Sequence, residues 1–172
     1  MHILQDHQCS INIVRDDDAL VDLSDMQIRT IVCHTLRASN VVFGTSAQIE
    51  VTIVFVSDTR MHALNKTYRG KNAPTDVLSF PDAFAEKQAP GVDHVNEDSS
   101  IDNTVVIGDI MLSCATIKRY AIMDSVPYEQ ALTLVLAHGV LHLLGYNHSA
   151  MMFTIQDAVT KHIHEAHTNT LS

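Results

Sequence analysis

A chain of 172 residues, 46% of them apolar, is long enough for one domain with a sizeable core and too short for two comfortable ones. No window approaches the roughly 18 uninterrupted apolar residues of a membrane helix, and Met1-His2-Ile3-Leu4-Gln5-Asp6 lacks the basic-then-apolar order of a secretory signal. The formal net charge of −9 argues on average against a nucleic-acid partner. Cys9, Cys33 and Cys114 form no CxxC pair, so neither a disulfide framework nor a sulfur zinc site is expected, and a reduced, cytoplasmic setting fits best.

In chain order, Ile11 to Val14 alternates like a short strand, and Asp16-Asp17-Asp18 reads as a solvated turn. Ser24, with Gln27 three residues on, opens a helix through about Ala38. On that helix Cys33 and His34 are read as structural. Gln48 to Val56 is dense in β-branched residues and reads as a central strand, after which Ser57 caps a helix from Asp58 to about Tyr68. Gly70 and Pro74 bracket a loop, and Val77 to Phe80 is a short strand stopped by Pro81. Thr104 to Leu112 is a further strand in which Gly108 marks a bulge or a close backbone approach. A helix runs from Ser113 to about Met123, and Ser125 with Pro127 just inside starts the next, which is apolar through Leu132, Leu134, Val135 and Leu136. The last helix covers Met151 to about His167, with His162, His164 and His167 read as solvent-facing.

Charge is concentrated rather than spread. From Arg60 to Thr75 the chain carries Arg60, Lys66, Arg69 and Lys71 and no acid. From Asp82 to Asp102 it carries Asp82, Glu86, Asp93, Glu97, Asp98 and Asp102 against Lys87 alone. Residues 1–172 are therefore read as a single domain with an acidic, flexible loop at about 82–103. The basic stretch is read either as a solvated connection or as a phosphate contact from Arg69.

The chemistry is spelled out in His138-Gly139-Val140-Leu141-His142-Leu143-Leu144-Gly145-Tyr146-Asn147-His148. Two histidines four apart share one face of a helix, with β-carbons roughly 5–6 Å apart, which suits two imidazoles meeting one metal ion. His148 lies six positions beyond His142, about 240° further round a continuing helix, so it joins them only if the helix stops. Gly145 is where it stops, because glycine takes the left-handed conformation that closes a helix. The bland alternative, a hydrogen-bonded core histidine, explains one such residue more readily than this spacing. Three neutral imidazoles leave a fourth position open, the arrangement of a catalytic zinc site, so one zinc ion per chain is expected on His138, His142 and His148. The metzincin peptidases place a glutamate directly after the first histidine as general base, whereas this chain has Gly139, so a peptidase reading loses its base.

Tyr68-Arg69-Gly70, then Pro74-Thr75-Asp76-Val77-Leu78-Ser79-Phe80-Pro81, then Gly108-Asp109-Ile110, then His138-Gly139-x-x-His142-x-x-Gly145-Tyr146-x-His148 together resemble the YbeY endoribonuclease family, in the family's order. The resemblance implies an α+β, zincin-like domain: a small mixed β-sheet packed by helices around a central metal-binding helix. It implies a zinc-dependent, single-strand-specific endoribonuclease of 16S ribosomal RNA 3′-end maturation and ribosome quality control, and so a single-stranded ribosomal RNA substrate. Small ribosomal subunit proteins and a ribosome-associated GTPase are the implied partners, with no membrane involvement. The metal ligands fall on His138, His142 and His148, with His138 also counted among the catalytic residues, and the functional arginine falls on Arg69. Members usually have Asp before the third histidine where this chain has Asn147, and a longer stretch between that histidine and the final helix. Two routes of cleavage stay open, attack on phosphorus by water or by the adjacent 2′-hydroxyl, with Asp76 and Asp109 as candidate orienting groups. A ribosome-assembly factor with a mainly structural metal and another metal-dependent hydrolase are the alternative functions.

Overall fold

The longer strands form where β-branched residues cluster, and most of the helices begin where a serine hydroxyl can close the first turn. The computed structural model describes residues 9–17, 19, 21–43, 47–82 and 104–170, with side chains to 165. Its elements are β1 (Cys9–Arg15), α1 (Asp25–Ala38), β2 (Gln48–Phe55), α2 (Asp58–Arg69), β3 (Val77–Pro81), β4 (Thr104–Leu112), α3 (Cys114–Asp124), α4 (Tyr128–Leu143) and α5 (Ala150–Thr170). Ser24 accepts from the Gln27 amide while the Gln27 side chain reaches back to the Ser24 amide, a full capping box. Ser57 and Ser113 cap α2 and α3 through their side chains alone, accepting from the amides of Arg60 and Thr116. Apart from Asp82, which is exposed, the acidic loop expected at about 82–103 lies outside the described residues.

The start of α4 differs from the sequence expectation. Ser125 does not cap it; this residue sits in left-handed conformation (φ 56°, ψ 38°) and closes α3 instead. Pro127 is the N-cap of α4, with no side-chain hydrogen bond to the first turn. The tight turn from one helix into the next claims Ser125 before the second helix can use it.

The four strands form one mixed sheet in the order β1-β2-β4-β3. β1, β2 and β4 run parallel, and β3 lies antiparallel on β4 at one edge. The register of β2 against β4 slips between Glu50 and Val51, where Ile107 is left over and Gly108 resumes the pairing. Gly108 has φ +127°, and a Cβ there would sit 2.2 Å from the Phe80 carbonyl oxygen, so the bulge and the close backbone approach expected of this glycine occur together.

Helix α4 packs against α1, α3 and α5 and against β3 and β4. Leu132, Leu136, Ala137, Val140, Leu141 and Leu143 on it are fully buried. A helix apolar on most of its circumference needs this many neighbours, and its position in the core fixes the site built on its last turn.

Candidate metal centre

Helix α4 carries His138 and His142 on one face and then ends. Leu144 is its C-cap, and Gly145 turns the chain with φ 82°. Tyr146 is buried and its hydroxyl donates to the Ser39 carbonyl at the end of α1, which pins the turn to the body of the protein. His148 follows, two residues before α5 begins.

The three Nε2 atoms meet. They are 3.0 Å apart for His142 and His138, 3.1 Å for His142 and His148, and 3.3 Å for His148 and His138. Nitrogens bonded at 2.0–2.1 Å to one tetrahedral centre stand about 3.3 Å from each other, so the spacing fits a single ion of zinc size. Protonation supports the same conclusion. His138 Nδ1 lies 2.8 Å from Gln156 Oε1, and His142 Nδ1 lies 2.9 Å from the Tyr146 carbonyl oxygen. Both partners are acceptors, so each ring carries its proton on Nδ1 and turns a bare lone pair inward. Two lone pairs facing at 3.0 Å repel unless a cation lies between them. Burial first, and then the neighbouring His138, hold the His142 imidazole below its ordinary range, which keeps it neutral and able to ligate. Among the described residues these three form the group of ligating side chains able to hold a metal ion.

The histidines line a cleft of about 930 Å³ whose wall includes Arg69, Asp76, Asn147 and Gln156. Arg69 is the last residue of α2, and its charge is felt at His142. Gly70 closes α2 in left-handed conformation (φ 67°), and the buried Asn65 donates to the Ala73 carbonyl at 2.7 Å, tying down the loop that follows. Asp76 lines the cleft, but its Oδ1 accepts from the Val77 amide at 2.9 Å and from the Thr75 hydroxyl at 3.0 Å, the bonding of a turn residue. Asp109 is exposed on β4 and is not part of the cleft wall.

Gly139 shows why the peptidase glutamate is missing. A Cβ at this buried position would meet Ile110 Cγ2 at 3.0 Å and Ser79 Oγ at 3.3 Å, and the Ser79 hydroxyl donates to the Gly139 carbonyl at 3.2 Å. The helix lies directly on the sheet here and leaves no space for a carboxylate.

The family model described as Endoribonuclease YbeY matches residues 13–164. The chain belongs to the YbeY endoribonuclease family. Relatives named Endoribonuclease YbeY include one from Halalkalibacterium halodurans, 32% identical over 80% of this chain and 82% of its own, and one from Bartonella henselae, 34% identical over 77% and 72%. A third, from Zymomonas mobilis, is 35% identical over 66% of this chain, and the match spans 61% of that relative's length. The solution structure of a Thermotoga maritima protein shares the fold, with a TM-score of 0.56 over 93% of each chain at 24% identity.

Within this YbeY chain, sequence reasoning missed Gln156 and Ser79. Gln156 is 6% exposed and sits among the apolar residues Met152, Val159 and Ile163 of α5, and a lone amide on an apolar helix face was the signal that it has a polar partner. Ser79 carried no such signal. The histidines set aside as non-ligands stay apart from the centre: His162 and His164 are exposed, and the His162 ring meets His34 at a tilt of 37°, with centroids 4.7 Å apart. The side chain of His167 lies outside the described residues.

Proposed function

We propose that this protein is a zinc-dependent, single-strand-specific endoribonuclease that acts on ribosomal RNA, in 16S 3′-end maturation and ribosome quality control, with small-subunit proteins and a ribosome-associated GTPase as partners in the cytoplasm. The observation that carries the reading is the convergence of three histidine Nε2 atoms beside Arg69 in one cleft, in a chain of the YbeY endoribonuclease family. No helix among the described residues is long and apolar enough to cross a membrane.

His138, His142 and His148 would hold the ion. A zinc ion on three neutral ligands supplies a Lewis acid next to a phosphoryl oxygen and lowers the pKa of water. The chain's own residues do the rest. Gln156 and the Tyr146 carbonyl hold two imidazoles in the ligating tautomer. Arg69, exposed at the cleft, offers a guanidinium fork to the phosphate and to the charge that develops on it. Ser79 and Ile110 hold α4 on the sheet so that the histidines do not shift.

Metal content and cleavage of a single-stranded RNA, measured on wild type and on folded His138→Ala and His142→Ala proteins, test the reading. Joint loss of one equivalent of zinc and of cleavage is expected. Zinc lost with cleavage unchanged would overturn it and favour an assembly role. For Arg69→Ala, normal zinc with a loss of cleavage of about 10²-fold or more is expected from losing one charge-stabilising group.

A further inference from the structure

The cleft around the histidines carries more open aromatic surface than a metal centre and a phosphate contact require. Tyr68 at the end of α2 is 64% exposed and makes a T-shaped contact with Phe80, with centroids 4.9 Å apart and planes at 71°. Phe80 is half-buried and packs into the small core of Val54, Val56, Met61 and Leu78, so Tyr68 leans on an anchored ring. On α5, Phe153 is 45% exposed and lies parallel to the His148 ring, with planes at 10° and centroids 6.1 Å apart. All three rings line the same cleft as His138, His142 and Arg69.

A phosphate drawn to Arg69 and the histidines brings a base with it on each side. In a duplex the faces of those bases are already stacked on their neighbours. In a single strand they are free to lie on an aromatic side chain, and such stacking is indifferent to sequence because every base has a π-face. We infer that Tyr68 and Phe153 are stacking platforms for the bases flanking the scissile phosphate, and that these rings make the site selective for unpaired RNA. The inference rests on the endoribonuclease reading above and adds to it two specificity-determining residues. It also accounts for two exposed aromatic side chains beside a polar centre. Tyr68 is braced by its T-shaped contact with Phe80 and Phe153 by its stack on His148, which lowers the cost of fixing either ring under a base.

The test uses the full-length, zinc-loaded protein and two fluorescent ten-residue 2′-O-methyl single strands, one of adenosines and one abasic with the same phosphates. Affinities come from anisotropy, and cleavage of an unmodified single strand is measured in parallel. Wild type should bind the base-bearing strand at least about tenfold more tightly than the abasic one. Tyr68→Ala and Phe153→Ala should each lower that ratio several-fold with abasic affinity and zinc content unchanged, and Phe153→Trp should restore it. Both positions are exposed enough for the alanine proteins to fold. Equal weakening toward both strands would mean that the rings only support the fold or His148, and it would overturn the inference, as would an unchanged ratio. In either of those cases cleavage by wild type leaves the endoribonuclease reading standing. A wild-type protein that neither binds nor cuts single-stranded RNA overturns both.

Discussion

Gly139 and Gln156 act on the centre without touching an ion. At Gly139 a side chain longer than hydrogen runs into Ile110, which is fully buried, and into Ser79. Gly139→Glu, which would place the metzincin residue in this sequence position, adds overpacking against Ile110 to the burial of a carboxylate. A loss of at least ~3 kcal/mol is expected in urea unfolding, with no gain of peptidase activity. A folded, stable variant would mean that α4 lifts from the sheet more easily than the 3.0 Å approach implies. Gln156 works from the other side of the ring. Its Oε1 is the acceptor for His138 Nδ1, and without it the imidazole loses the bond that sets its tautomer and orientation. Gln156→Ala should weaken zinc binding by about 10- to 100-fold in a chelator competition. An unchanged affinity would show that His138 is oriented by the helix alone.

At the level of the element, Asp58 couples the first turn of α2 to the first turn of α3. Its carboxylate accepts from the Ser113 hydroxyl, from the Thr116 hydroxyl at 2.8 Å and from Arg119 at 2.5 Å. Burial alone would raise its pKa from 3.8, but the bonds from Ser113, Arg119 and Thr116 outweigh it and hold the group lower. A depressed carboxylate contributes stability that is present above the unfolded pKa and is lost as pH falls through the folded one. Asp58→Asn should therefore cost ~1 kcal/mol at neutral pH, and the difference from wild type should shrink below about pH 4. A difference that stays constant down to pH 2 would assign the effect to shape rather than charge. Asn65 does comparable work on the basic loop. Asn65→Ala removes its bond to the Ala73 carbonyl and should cost ~1–3 kcal/mol, with RNA cleavage reduced because Arg69 loses a fixed loop beside it. Cleavage unaffected at that loss of stability would detach the loop from function. The helices so joined were legible in the sequence because their signals are local: Ser24 with Gln27, Ser57 and Ser113 each meet an amide three residues on. Ser125 misled because two adjacent helices compete for one residue, and local pattern does not say which of them wins. Strand order was not legible at all. The hydrophobic content of β1, β2 and β4 marks them as buried without naming their neighbours, and β3 is too short to show by periodicity that it runs antiparallel. The histidine triad was readable because a helix spacing and a stop glycine fix it. Its supports Gln156 and Ser79, 18 and 60 residues from their partners, were not.

For the whole molecule, the centre joins parts that are otherwise held by packing. His138 and His142 belong to α4, His148 to the turn beyond it, and Gln156 to α5, so an ion bound by the three imidazoles closes the last turn of α4 onto the chain that leads into α5. Binding to the folded state alone stabilises it by mass action, ~4 kcal/mol at a thousandfold excess over Kd. For a chain of this size that is a rise in Tm on the order of 10 °C. Ligation needs neutral rings, so the gain is tied to pH. His142 is held below the ordinary 6.5, first by burial and then by His138. The folded protein thus takes up a proton there less readily than the unfolded chain does. Its contribution is neutral above about pH 6.5 and becomes destabilising as pH falls below that, and protons compete with the ion over the same range. The Tm gained on adding zinc should be constant above pH 7, shrink between about pH 6.5 and 5, and vanish in His142→Ala at every pH. Melting with and without chelator across that range is the measurement. A zinc-dependent gain that is the same at pH 5 and pH 7 would place the ion on carboxylates instead, and a gain that survives His142→Ala would place it away from the triad.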